Sequence, residues 1–345
     1  MKEPTTELRS QFCAWLRHRR HDLLATDDVT LRASLLTVLG LDDASLRAFR
    51  DARDVVVTLP HASPNVFFPR VYNGWYARHL QARDPSVFHL RVVLTHTNFS
   101  DLNWRPYAWW YVDAAGRLGR LTLFTRNKKR KHVVVASQGP VTDEVPHAAR
   151  AADREALEGA RHAANRASSY LLMSARTERH AGLAVDGRTM YLPLDLLIAF
   201  AAGCRGTLDG PERRWLDALF HGATGRRVAP GGELRDAAGE APFILDNSSN
   251  LSMLSLLGRV SVVGGAVMGG YWDEVTARVT AVNRRAGVAL PAPGLLRRPA
   301  ANDGAPAVLP SPGLAESLKD CGIGYSQGMA VAEHGAFART TDPFA

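Results

Sequence analysis

The chain is poor in cysteine, has no long apolar run and shows no internal repeat, and each of these gaps removes a class of protein. Its three cysteines, Cys13, Cys204 and Cys321, are odd in number and far apart. Without a C-x-x-C pair, neither a disulfide framework nor a zinc site is expected, and a reducing compartment is the simpler reading. No window approaches the ~20 apolar residues that cross a bilayer, so no membrane span is expected. The opening MKEPTTELRSQF carries acids and no apolar core of a secretory signal. The expectation is therefore a cytoplasmic protein, with export by a signal-less route left open. His18 and His21 are the one close histidine pair, but Arg17, Arg19 and Arg20 around them would repel a cation, so no metal is expected. There is no G-x-S-x-G elbow. The glycine pairs at 264–265 and 269–270 lack a following Lys-Ser/Thr, and close helix packing is the reading for them. No cofactor is expected.

What is present is a chain of 345 residues, 46% hydrophobic and 22% charged, enough for one large core with appendages. The formal net charge is +8 and arginine far outnumbers lysine. Such a balance favours a polyanionic partner, nucleic acid or an anionic membrane surface, against the alternative of a basic surface kept for solubility. Arginine also suits bidentate contacts to phosphate.

Hydrophobic spacing divides the chain. Residues 7–50 read as helices: Leu8, Phe12, Trp15, Leu16 and Leu23 recur at helical spacing, VTLRASLLTVLG ends at Gly40, and Asp42 or Asp43 caps a third helix. From about 54 to 137 the pattern changes to short β-branched or aromatic runs, DVVVTLP, SVFHLRVVLTHT, YAWWYVD, GRLTLFT and KHVVVASQ, separated by Pro, Gly, Asn and Asp. These predict a mixed or antiparallel sheet. From about 148 the chain is helical again, through ADREALEGARHAANRASSYLLMSARTERHAG, PLDLLIAFAAG, PERRWLDALFHG, SNLSMLSLLG and YWDEVTARVTAVNRR. Helices gathered behind a sheet make an α+β fold. One domain is expected over 1–290, sheet-rich at 50–140 and helical at 148–290, followed by a Pro/Ala/Gly-rich linker and tail over 291–345.

Four segments, in order, resemble the ribosome-inactivating proteins, toxin chains that remove one adenine from large-subunit ribosomal RNA. They are QFCAWLRHRRHDLL, RPYAWWYVDAAG, SSYLLMSARTERHAGLAVDG with PLDLLIAF, and FILDNSSNLSMLSLLG, between about residues 10 and 290. The resemblance implies that fold and an rRNA N-glycosidase that inhibits translation. It puts Tyr107 and Tyr170 in the places of the stacking tyrosines, Tyr111 four residues on, and Asp246, Asn247 and Ser248 in register with an acidic-Asn-Ser segment. Laid without gaps, the catalytic helix puts Arg227 on the family's arginine but Thr224 on its glutamate. The tryptophan that follows the serine in the family is Ser249 here.

Such chemistry needs aromatic faces to hold the base, a donor to assist its departure and a carboxylate beside the sugar cation. Tyr107, Tyr170, Arg227 and Asp246 are the candidate catalytic set, with Glu233 or Asp217 as other sources of a carboxylate. The alternative for either tyrosine is a packed ring with a satisfied hydroxyl. Glu158 and Arg161 have the right spacing but the wrong chain order, and read as a surface pair. Lys128, Lys129, Arg130 and Lys131 form the densest basic run and are candidate RNA-phosphate contacts, or else a solvated hairpin tip. The expected partner is ribosomal RNA or the ribosome, with no DNA. The competing reading is a catalytically degenerate relative that binds RNA, the ribosome or a protein partner. A third is an unrelated basic structural or interaction protein.

Overall fold

The computed structural model describes residues 4–59, 71–93, 108–112, 118–122, 139–142, 151–180, 182–206, 208, 210–223, 225–228, 234–236, 244–264 and 268–297. Three helices come first: α1 (Pro4–Arg19), α2 (Val29–Val38) and α3 (Asp43–Asp51). Asp28 and Asp42 cap α2 and α3 by accepting from the amides of Thr30 and Leu31 and of Ala44 and Ser45, donors a helix start leaves without partners. Strand β1 (Asp54–Thr58), helix α4 (Val71–Arg83) and strand β2 (Val87–Val93) follow. A two-stranded ribbon, β3 (Ala108–Val112) and β4 (Leu118–Thr122), precedes α5 (Ala151–Ala160) and α6 (Arg166–His180). Then come β5 (Thr189–Pro193), α7 (Leu194–Cys204) and α8 (Pro211–Gly222). The short strands β6 (Gly225–Val228), β7 (Leu234–Asp236) and β8 (Ile244–Leu245) lead to α9 (Asn247–Ser252). The last described elements are β9 (Val260–Gly264), α10 (Met268–Ala286) and β10 (Gly294–Arg297).

The main sheet has five strands in the order β10-β9-β1-β2-β5, and every pairing in it is parallel. This corrects the expectation of a mixed or antiparallel sheet confined to residues 50–140. Only β1 and β2 come from that stretch; β5, β9 and β10 come from the half read as helical. Antiparallel pairing occurs instead in β3–β4 and in the small β7-β6-β8 sheet. Gly294–Arg297, assigned by composition to a linker, is the edge strand β10. The architecture is therefore a helix-and-sheet α/β mixture built on a parallel sheet.

Parallel sheets need cover on both faces, and this one has it. Val55, Val57, Phe88, Leu90, Val92 and Val262 face the main core, where Phe12, Leu197, Trp215 and Val275 from α1, α7, α8 and α10 join them. On the other face Val56, Val87 and Val263 meet Ala77, Tyr76 and Leu80 of α4. The edge at β5 is closed by the turn between α2 and α3, where the Tyr191 amide donates to the Leu39 carbonyl at 2.8 Å. Gly40 in that turn has φ +65°, and a Cβ there would lie on the Thr189 carbonyl oxygen, so glycine is required twice over.

Candidate functional site

Register and the two-residue period of a strand put Val56 and Thr58 of β1, His89 and Arg91 of β2, and Thr189 and Tyr191 of β5 on one face. This is the face under α4, and toward its carboxyl edge it is polar. Thr58 and His89 are buried, and the Thr58 hydroxyl lies 2.8 Å from His89 Nε2. Burial, and secondarily the Arg91 charge, lower the His89 pKa to about 3, so the ring is neutral at physiological pH. Gln81 of α4 donates to the Arg188 carbonyl at 2.6 Å, and Arg188 returns a bond to the Gln81 carbonyl at 3.1 Å, tying the helix over β2 and β5.

Beside His89 lies a buried ion pair. Arg91 donates through Nε to both oxygens of Glu178 on α6, at 3.0 and 3.2 Å, and through Nη2 to Oε1 at 2.7 Å. Their side chains are only 13% and 10% exposed, so solvent screens the pair little. Nη1 takes no part in the pair. Tyr170 and Tyr191 lie within electrostatic reach of Arg91. Burial, and then the Glu178 charge, raise the Tyr191 phenol well above its ordinary pKa. Arg179, the next residue of α6, donates to the Val38 carbonyl at 2.6 Å and stands 6.0 Å over the Tyr191 ring.

The second element of the site is the order of the strands. From β1 the chain builds outward to β2 and β5; β9 returns to the other side of β1 and leads to β10. Thr58 ends β1 and Gly264 ends β9, at the same edge of the sheet. Helix α10 begins at Met268, four positions after Gly264, and carries Gly269 and Gly270 in its first turn. A Cβ on Gly264 would press on Met268, and one on Gly269 would stand 3.0 Å from Nη2 of Arg297, the last residue of β10. Gly264 and Gly269 thus make room for the Met268 and Arg297 side chains where β9 gives way to α10.

Of the residues singled out in the sequence, Tyr107, Thr224, Glu233 and Lys128, Lys129, Arg130 and Lys131 lie outside the described residues. Tyr170 is buried on α6, close to Arg91. Arg227 lies on strand β6, opposite Arg235 of β7, which corrects its placement on a helix. Asp246 caps α9: Oδ1 accepts from the Ser249 amide at 2.9 Å and the Ser248 hydroxyl at 2.7 Å, Oδ2 from the Ser249 hydroxyl at 2.9 Å, and Arg278 approaches to 3.7 Å. That carboxylate is engaged in holding a helix start. Asp217 pairs on the surface with Arg205 and Arg213, and Glu158 is exposed at the end of α5.

Sequence reasoning passed over Thr58, His89, Arg91, Glu178 and Tyr191. The available signal was His89 and Arg91 two apart in FHLRVV, polar groups on one face of a strand otherwise made of core residues. Glu178 could not be paired with them in advance, because 87 residues separate it from Arg91. Among the described residues no group of His, Cys, Asp and Glu could hold a metal, and no helix is long and apolar enough to cross a membrane. No family model matches the chain, and neither the curated proteins nor the solved structures contain a match.

Proposed function

We propose that the chain binds a nucleotide-class ligand at the carboxyl edge of the parallel sheet, between β1 and β9, whose following helices α4 and α10 pack on opposite faces. The observation that carries this reading is the strand order, which makes the gap between β1 and β9 the switch point of the sheet. In open parallel sheets the connections after the two strands at that point run to opposite sides and leave a crevice where ligands bind. A phosphorylated ligand fits the net charge of +8 and the Arg297 guanidinium beside the first turn of α10. Titration calorimetry with adenosine 5′-monophosphate, adenosine 5′-diphosphate and a dinucleotide tests it. Saturable binding of at least one is expected, and heat of dilution alone across the panel removes the reading.

A finer reading follows from the resemblance: the nucleotide is an adenine of large-subunit ribosomal RNA, and its N-glycosidic bond is cut. The observation that favours it is Glu178, a carboxylate held by Arg91 with Tyr170 and Tyr191 nearby, the kinds of group that such a reaction needs. On this reading Glu178 supplies the carboxylate that Thr224 cannot. Treated ribosomes should then release an aniline-sensitive rRNA fragment, and Glu178→Gln should abolish it. Fragment release undiminished by Glu178→Gln removes Glu178 from the reaction. RNA binding without fragment release leaves the relative that binds RNA, the ribosome or a partner protein.

A further inference from the structure

The Arg91–Glu178 pair is not accounted for by stability alone. Burying two charges costs several kcal/mol each, and packed apolar residues of similar volume typically serve as well or better. The pair sits at a particular level of the sheet: Arg91 is in register with Thr58, the final residue of β1, and so lies at the carboxyl edge, one strand from the β1/β9 crevice. Its geometry is one-sided. Glu178 occupies the Nε and Nη2 edge of the guanidinium, while Nη1 takes no part in the pair and the side chain keeps 13% of its surface exposed. A planar guanidinium held by one edge keeps its orientation and offers the other edge to a second acceptor. Tyr191 and Tyr170 lie beside it, and the neutral His89 adds no competing charge.

We infer that Arg91 is the oxyanion contact of the ligand site, its Nη1 edge receiving a phosphate or carboxylate group of the bound molecule. The inference rests on the nucleotide reading above and adds the residue that recognises the ligand's charge. Glu178 occupies the opposite edge of the guanidinium, so a ligand oxyanion at Nη1 is nearer the positive charge than the negative one.

The test uses the full chain and four probes: adenosine 5′-monophosphate, adenosine, inorganic phosphate and succinate. Two variants accompany the wild type. Arg91→Met/Glu178→Met removes both charges together and so leaves neither buried alone; Arg91→Lys keeps a positive charge beside Glu178 but has no second guanidinium edge. Adenosine 5′-monophosphate should bind the wild type, and bind the folded double variant and Arg91→Lys at least about tenfold more weakly, as loss of a charge-assisted hydrogen bond requires. Adenosine should not distinguish the three proteins. Arg91-dependent binding of inorganic phosphate identifies a phosphate ligand, and of succinate alone a carboxylate one. Equal affinity of adenosine 5′-monophosphate for the double variant and the wild type overturns the inference while the nucleotide reading stands. Binding by Arg91→Lys as tight as by the wild type also overturns it. Failure of all four probes to bind the wild type overturns both.

Discussion

Removing one half of the Arg91–Glu178 pair should destabilise the protein far more than removing both. The two side chains are 13% and 10% exposed and joined by three hydrogen bonds of 2.7 to 3.2 Å, so the charges face each other with little solvent between them. At an effective dielectric constant of about 20, opposite unit charges ~4 Å apart attract by about 4 kcal/mol. In Arg91→Met that attraction is lost and the Glu178 carboxylate stays buried without its counter-ion. Such single removals cost about 3–5 kcal/mol. In Arg91→Met/Glu178→Met no charge is left behind, and the cost should fall to about 1–2 kcal/mol, set by how well the methionines fill the space. Urea unfolding at pH 7, followed by both circular dichroism and tryptophan fluorescence, gives the four free energies of the cycle. The coupling between the two sites should then be about 4 kcal/mol or more. A single variant losing less than 1 kcal/mol, or a double variant losing the sum of the two singles, would show that the pair is effectively solvated and the reasoning about its burial is wrong.

Three further outcomes can be measured on the same footing. His89 carries a pKa of about 3 in the folded chain against 6.5 when free, so the unfolded chain binds the extra proton between these values. Stability attached to this residue is therefore complete above pH 6.5 and falls as pH drops toward 3, by about 2 kcal/mol between pH 6.5 and 5; in His89→Gln that acid limb should flatten, and an identical pH profile refutes it. Gly40→Ala should be severely destabilising or prevent folding, because the new Cβ meets the Thr189 carbonyl oxygen, whereas Gly187→Ala, also at positive φ but in open space, should cost only about 1–2 kcal/mol; equal costs in denaturant titrations would contradict the close approach at Gly40. Asp246→Ala should cost about 1 kcal/mol through loss of the α9 cap, and Asp246→Asn, which can still accept from the Ser249 amide, distinctly less; the reverse ranking would point to a role for the charge itself.

Much of the helical framework was legible in the residues. Asp42 capping α3, Gly40 ending the helix before it, Pro211 opening α8 and the apolar run of α7 are local signals, and the structure has each element where the spacing puts it. The runs DVVVT and VFHLRVV were also readable as strands. Their partners were not. Buried parallel strands are apolar on both faces, so VSVVG and TMYLP carry no alternation to mark them, and TMYLP runs directly into the apolar α7. Four-residue GLLR sits amid prolines and alanines that read as linker.

The candidate site divides in the same way. Composition and charge point to a polyanionic partner or to a basic surface kept for solubility, and the resemblance singles out Tyr170, which lies close to Arg91. Asp246 also comes from the resemblance, and its hydrogen bonds show what a segment match cannot: the carboxylate is committed to the start of α9. Only the tertiary structure brought Arg91 of β2 to Glu178 of α6, and set β9 beside β1 across some two hundred intervening residues. Local preference acts over a few residues, through capping, turn geometry and side-chain period. Strand order and buried charge pairing depend on which distant segments exclude water from one another, and that is decided when the whole sheet assembles.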